Sequence, residues 1–470
     1  MHRCDCYRVV AVGKAAACSL ALSLLLAAGS RADEKKLSLP DGFAAGTCQQ
    51  VHVKMEVTGT LRVMNQGKPE DLKLTVSADH QYTETALARG QTRQTARWYT
   101  KADADLTIAG DKVKPSLRPE QRLVLVDAST QQRDLYSPGE LLTREELDLL
   151  DLQANTALLP LLLPKDAVAI GDSWQPEADL LAQLLNIDAV GSSDVKCVLG
   201  DVAEGQSANI LIAGQVNGAV GGVATELHVD GTITYSLADK WISRANLTIR
   251  EQRAIGHIGP GLDVTCKIDM QMKPITTAEL PKELTAPLDP LSEARKRQLA
   301  FISPGNTYRF AHDRRWHVTH ETPQLVSLRL VDKGELVAQC NISALAPVAP
   351  EKMQTLATFK ESVKKSLGES FDRFTAERES TNDHGHRLIR IEAVGNVEGL
   401  DVEWHYFLVA DDKGHQVAAG VTLEQSLRER LGNLDGEMMQ ALQLIVPTDS
   451  PDKTPQPAVQ AAQRPMEGAR

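Results

Sequence analysis

The stretch Val51-His52-Val53-Lys54-Met55-Glu56-Val57-Thr58 alternates strictly, with Val51, Val53, Met55 and Val57 on one side and His52, Lys54, Glu56 and Thr58 on the other. A period of two puts the apolar set on one face of a pleated strand and the polar set on the opposite face, which is the pattern of a half-buried β-strand. Similar runs recur at 72–76, 98–108 and 123–126, then from 195 to 248, so long antiparallel strands dominate this part of the chain.

A helical insert interrupts the strands. Thr143 and Glu146 have the spacing of a capping box ahead of Leu147, Leu149, Leu150 and Leu152. The run 158–163, broken by Pro160, stops at Pro164, and Gly171-Asp172-Ser173-Trp174 makes a turn into a second short helix at about 177–185. Apolar helix faces need a partner, which predicts a curved antiparallel sheet closing over them, or a half-barrel with helices at its mouth. Gly214, Gly218, Gly221 and Gly222 lie in strand-like sequence, where glycine marks a bulge or a tight turn. They lack the strand-to-helix context of a nucleotide-binding fingerprint.

From Lys273 to Ala300 the texture changes to Pro274, Pro281, Pro287 and Pro290 among polar residues, which reads as a linker with a helical turn at 292–299. Beyond it, strands are expected at 308–311, 325–331 and 336–344. A helix follows from Pro350 through Met353, Leu356, Phe359, Val363 and Leu367; then strands at 387–394, 400–409 and 416–423, and a closing helix at 435–445. The fold class is therefore α+β: a β-rich domain with a helical insert at 33–272, the linker at 273–300, and an antiparallel α/β sandwich at 301–446. The Pro-, Gln- and Ala-rich residues 447–470 are expected to be a disordered tail.

The chain begins with Arg3, Arg8 and Lys14, then an apolar run at 15–28 and small residues at Ser30 and Ala32. This is the pattern of a secretory signal peptide over 1–32, cleaved before Asp33 or retained as an anchor, and it predicts export to the periplasm or the exterior. No later stretch is apolar enough to cross a membrane as a helix, so no transmembrane segment is expected after cleavage. A net charge of −11 without a basic stripe argues against a nucleic-acid partner. Outside the first 32 residues the cysteines are Cys48, Cys197, Cys266 and Cys340. An oxidising compartment would permit one bridge among Cys48, Cys197 and Cys266, and buried free thiols are the alternative.

Tyr308-Arg309-Phe310 followed by Trp316, a long amphipathic helix, Trp404-His405-Tyr406-Phe407 in a central strand and a closing helix together resemble the PsbP/DcrB superfamily of small exported or lumenal α/β domains, over roughly 150 residues. Arg314 and Arg315 stand where that superfamily commonly has a proline. The resemblance implies an accessory or interaction domain and brings no catalytic residue. The N-terminal domain, with its long strand, Leu-Pro segment, Gly171-Asp172-Ser173-Trp174 and Gly-rich β end, resembles a bacterial exported family of unknown function.

The densest polar cluster is His312, Asp313, His317, His320 and Glu321, and His312, His317, His320 and Glu321 are the candidate metal ligands if they converge. His384 and His386 beside Asp383 sit in an Asn-Asp-His-Gly turn, which turn chemistry explains. Gly171-Asp172-Ser173-Trp174-Gln175 lacks the second glycine of a nucleophile elbow, so a serine hydrolase is disfavoured. No catalytic residue and no cofactor is expected. The function this predicts is non-enzymatic interaction with a protein or an envelope component. A carrier of an apolar, lipid-like small molecule in the N-terminal domain is the alternative, and a metal-dependent enzyme using the 312–321 cluster is a second.

Overall fold

The computed structural model describes residues 36–445 except 66, 88–92, 204 and 287–288. The expected signal peptide and the expected disordered tail lie outside the described residues.

The alternating N-terminal runs build one large antiparallel sheet of 13 strands. Its two most central strands are the first and last long ones in the sequence. Cys48–Asn65 pairs with Gly261–Ile275 along their length, so that Val51 faces Met272 and Val57 faces Cys266. On one side the sheet runs outward through Lys68–Leu87, Arg93–Ile108, Leu123–Ala128 and Arg133–Tyr136. On the other it runs through Trp241–Arg253, Val223–Ser236, Ser207–Val220, Lys196–Ala203 and Ser173–Trp174. The two outermost strands do not pair with each other, so the sheet stays open.

Its apolar face is covered by the insert. Thr143 caps the helix Arg144–Leu150, its hydroxyl accepting from the Glu146 N–H while the Glu146 carboxylate accepts from the Thr143 N–H, as the spacing predicts. The helix Ala178–Leu185 ends on Asn186 in the left-handed conformation. Leu147, Leu150, Leu158, Leu159, Leu181 and Leu185 pack against Val51, Val53, Tyr82, Ile210, Leu227 and Ile233 in one continuous core. The run at 158–163 supplies a short 3-10 turn, Leu159–Leu162. Cys48, Cys197, Cys266 and Cys340 are all free and buried, the second of the two readings the sequence leaves open. Burial pushes the Cys197 and Cys266 thiols up to about 12, so both stay protonated and unreactive.

The C-terminal region has a seven-stranded sheet in the order Trp316–Glu321, Leu325–Asp332, Glu335–Leu345, Gln416–Glu424, Leu400–Ala410, Arg387–Val397, Phe371–Thr381. The helix Leu356–Leu367 packs Phe359 and Val363 on one face, against Ile389, Ile391 and Leu408. The opposite face holds Phe407, Val409 and Val421 against Leu431, Met438, Met439 and the small sheet formed by Gln298–Ile302, Tyr308–Asp313 and Gln443–Leu444.

Several elements depart from the sequence reading, among them the helix expected from Pro350, which begins at Leu356 after a separate 3-10 turn at Pro350–Lys352. Phe371–Thr381 is an edge strand exposed on both faces, with Arg373, Glu377 and Arg378 along it, so it shows no buried alternation. Trp316–Glu321 carries a register shift between Val318 and His320 that breaks the period of two. Gln298–Ile302, read as the end of a linker, pairs with Tyr308–Asp313 instead. The closing helix stops at Gln440, because Gln443 and Leu444 leave it to pair with Arg309 and Tyr308.

The two β regions touch at several points. The Ala300 N–H donates to the Leu142 carbonyl at 2.8 Å, Lys296 pairs with Asp127 at 2.7 Å, and Arg314 pairs with Asp134 at 2.9 Å. Two hairpin glycines also approach closely there. A Cβ on Gly222 would lie 2.0 Å from the Gly334 carbonyl oxygen, and both glycines have φ of +79°. Gly222→Val is therefore expected to cost about 1–3 kcal/mol, and urea unfolding measures it. Gly110→Ala is the control, since Gly110 also has positive φ but meets nothing within 4 Å. Equal losses in the two variants would mean that the hairpin contact contributes nothing.

Candidate functional site

Among the described residues, no three of His312, His317, His320 and Glu321 bring their ligand atoms within 4.8 Å of one another. His312 lies next to the end of the strand Tyr308–Asp313, is 3% exposed, and its Nδ1 lies 2.9 Å from the Asp313 carbonyl, to which it donates. His317, His320 and Glu321 lie on Trp316–Glu321, opposite Arg329, Ser327 and Val326. The Arg144 guanidinium, which donates to the Arg314 and Trp316 carbonyls, sits beside this hairpin. Burial, reinforced by Arg144, pushes His317 down to about 3.

The Asn-Asp-His-Gly turn is held by its own chemistry. Asn382 Oδ1 accepts from the His384 and His386 N–H groups at 3.1 and 3.0 Å, and His386 Nε2 accepts from the Leu444 N–H at 3.1 Å. At the Gly171 turn, Trp174 Nε1 donates to the Leu162 carbonyl at 2.7 Å, tying the turn to the apolar insert.

Three features missed by the sequence reading stand out. The first is a buried ionic network that docks the insert onto the sheet. Glu84, fully buried, accepts from Gln49 at 2.7 Å, Thr95 at 2.9 Å, Arg97 at 2.8 Å and Thr156 at 2.7 Å. Arg97 also donates to Asn155 at 2.6 Å and stacks over the Tyr82 ring at 5.0 Å. Every partner is supplied, so this network is structural.

The second lies on adjacent strands of the C-terminal sheet. Glu392 on Arg387–Val397 is registered opposite His405 on Leu400–Ala410, and Glu403 is two residues before His405 on the same face. Among the described residues these three are the group of His, Cys, Asp and Glu whose ligand atoms all lie within 4.8 Å of one another. His405 is fully buried. Its Nδ1 donates to Asp435 at 2.5 Å and its Nε2 lies 2.8 Å from Glu403. Arg428 reaches both Glu403 and the His405 Nε2 through Nη1, and Glu392 through Nη2 at 3.4 Å. Arg390 pairs with Glu392 at 2.9 Å and with Asp435 at 3.5 Å. Burial raises the Asp435 carboxyl, but the hydrogen bond from His405 and the Arg390 charge hold it below the usual carboxylate range. The sequence signal was present in Glu403-Trp404-His405: two polar residues at a spacing of two inside an apolar strand must share one face.

The third is an open trough of about 870 Å³ on the polar face of the large sheet. Thr234, Arg244, Gln271, His52 and Gln81 follow one another across adjacent strands, and Lys273, Gln50 and Thr83 form a second row beside them. Between the sheet and the insert, by contrast, the cavity beside Phe43, Leu159 and Trp241 is about 10 Å³, room for one water.

Neither a family model nor a curated protein matches the chain. Among solved structures, a Pseudomonas aeruginosa protein of unknown function is 12% identical, covering 28% of this chain and 88% of its own, with a TM-score of 0.22. Cyanobacterial PsbP from Synechocystis sp. PCC 6803 is 11% identical, covering 34% of this chain and 98% of its own, with a TM-score of 0.25. Lipovitellin is 10% identical over 50% of this chain and 25% of its own, with a TM-score of 0.29. These are weak, low-identity likenesses, and at such scores none bears on function.

Proposed function

We propose that this is an exported, non-enzymatic binding protein that engages a protein or envelope component through the polar trough of its N-terminal sheet. The observation that carries this reading is the contrast between outside and inside. An apolar cargo needs a pocket of roughly 300 Å³ or more, whereas the cavity beside Phe43, Leu159 and Trp241 is about 10 Å³. The trough is large, open and lined by carboxamides, hydroxyls and the cations Arg244 and Lys273. Such a lining offers donors and acceptors to a polar partner, with Val51, Tyr82 and Met272 the apolar residues among it. No helix among the described residues is long and apolar enough to cross a membrane, so attachment to a membrane by a described helix does not compete with this reading.

The test is a photo-crosslinking amino acid placed at Gln271 or Gln50, with exposed Glu361 on the C-terminal helix as control. Expression in the native host is expected to give a discrete adduct from the two trough positions and none from the control. The same adducts from all three positions, or hydrolytic turnover by the purified protein that one substitution abolishes, would overturn the proposal.

A further inference from the structure

We propose that Glu392, Glu403 and His405 form a binding site for a divalent transition-metal ion, entered by exchange with the Arg428 guanidinium. The site is independent of the trough and lies in the other sheet.

Four observations support it. First, the ligand atoms converge, and strand register fixes them: Glu392 opposes His405, and Glu403 shares its face. Second, the imidazole is held as metal-ligating imidazoles are held, its Nδ1–H donated to a buried carboxylate so that Nε2 is aimed at the other ligands. Asp435 is that carboxylate; it is fully buried, and its Oδ1 has no hydrogen-bond partner. Third, negative charge is in excess. The carboxylates of Glu392, Glu403 and Asp435 face the guanidiniums of Arg390 and Arg428. Replacing one guanidinium by a dication brings the carboxylates and cations into balance. Fourth, the exchange has a route. The Arg428 side chain is 37% exposed while those of Glu392 and Glu403 are 13% and 11% exposed, so the guanidinium stands between the ligands and solvent. It leaves by side-chain rotation alone, since Arg430 on the same short turn, Arg428–Leu431, is anchored separately to Asp332 and Glu335.

The donor set selects the metal. One imidazole nitrogen with carboxylate oxygens suits Zn²⁺ or Mn²⁺, whereas Ca²⁺ and Mg²⁺ take oxygen ligands and Cu(I) takes soft sulfur. Zn²⁺ binds such a set more tightly than Mn²⁺ and is the probe of choice.

The experiment is calorimetric titration of the chelator-treated full chain with Zn²⁺ alone. One equivalent is expected to bind, weakened about 10–100-fold by Glu403→Gln or Glu392→Gln. Arg428→Met, which removes the competing cation from a partly exposed position, is expected to tighten binding about tenfold. This variant keeps the inference testable if His405→Gln does not fold. Absence of a binding equivalent in both the parent and Arg428→Met overturns the site. So does an equivalent that survives Glu403→Gln and is lost on His384→Ala with His386→Ala, which assigns the metal to the surface turn.

Discussion

Arg97→Met is expected to destabilise the protein by about 3–5 kcal/mol, the cost of leaving a buried charge without its partner. Glu84 has no access to water, and its carboxylate is satisfied only by Gln49, Thr95, Arg97 and Thr156. Methionine keeps much of the side-chain volume and removes the only cation among those partners. The double replacement Glu84→Leu with Arg97→Met is expected to recover most of the loss, because neither charge then has to be stripped of water. Urea unfolding of the parent, the single and the double variants separates the two contributions. A single variant within about 1 kcal/mol of the parent would show that water reaches Glu84. Since Asn155 and Thr156 both bond to this pair, the same substitution is expected to loosen the insert first.

Acidification is expected to remove several kcal/mol well before the paired carboxylates titrate. Burial pushes His312 and His80 down to about 4 and, reinforced by Arg144, His317 down to about 3, so the folded protein holds all three neutral where the unfolded chain takes up protons. The unfolded state therefore binds more protons over the window from about 6.5 down to 4, and stability falls with pH through that window. From pH 7 to pH 5 the loss is about 2 kcal/mol for each group, or roughly 6 kcal/mol for the three together. The carboxyls of Asp313 and Asp435 are lowered in the fold, so their contribution is lost only below the ordinary carboxylate range, in a separate window. Denaturant midpoints at pH 7, 6 and 5 should flatten in a His80→Asn, His312→Asn, His317→Asn triple variant. An unchanged slope in that variant would assign the acid sensitivity to other groups. His312 adjoins Arg144 at the contact between the two β regions, so acid is expected to strain that joint.

The local alphabet of this fold was largely legible. Alternation identified the strand through Val51, Val53 and Val57, which becomes Cys48–Asn65. The Thr143 and Glu146 spacing gave a true capping box, and Gly218 and Gly221-Gly222 mark a bulge and a turn in Ser207–Val220 and its hairpin. Strands were missed where the period-two signal was absent for physical cause: exposure on both faces in Phe371–Thr381, and a bulge in Trp316–Glu321. The candidate site was less legible. Proximity in sequence drew attention to His312, His317, His320 and Glu321, while the residues that converge, Glu392, Glu403 and His405, are joined by strand register and backed by Asp435 from a helix 30 positions further on.

The sequence by itself determined the alternating strands such as Cys48–Asn65, the capped start of Arg144–Leu150 and the apolar face of each, because backbone periodicity and capping act over a few residues. Only the tertiary structure decided that the first and last long strands of the large sheet lie side by side. It also decided that Glu84 meets Arg97 and Thr156, and that His405 stands between Glu403 and Asp435. Those meetings depend on the register of one strand against another and on which helix closes over the sheet. Register follows from burying whole apolar faces together, a sum over many distant residues that no short stretch of the chain contains.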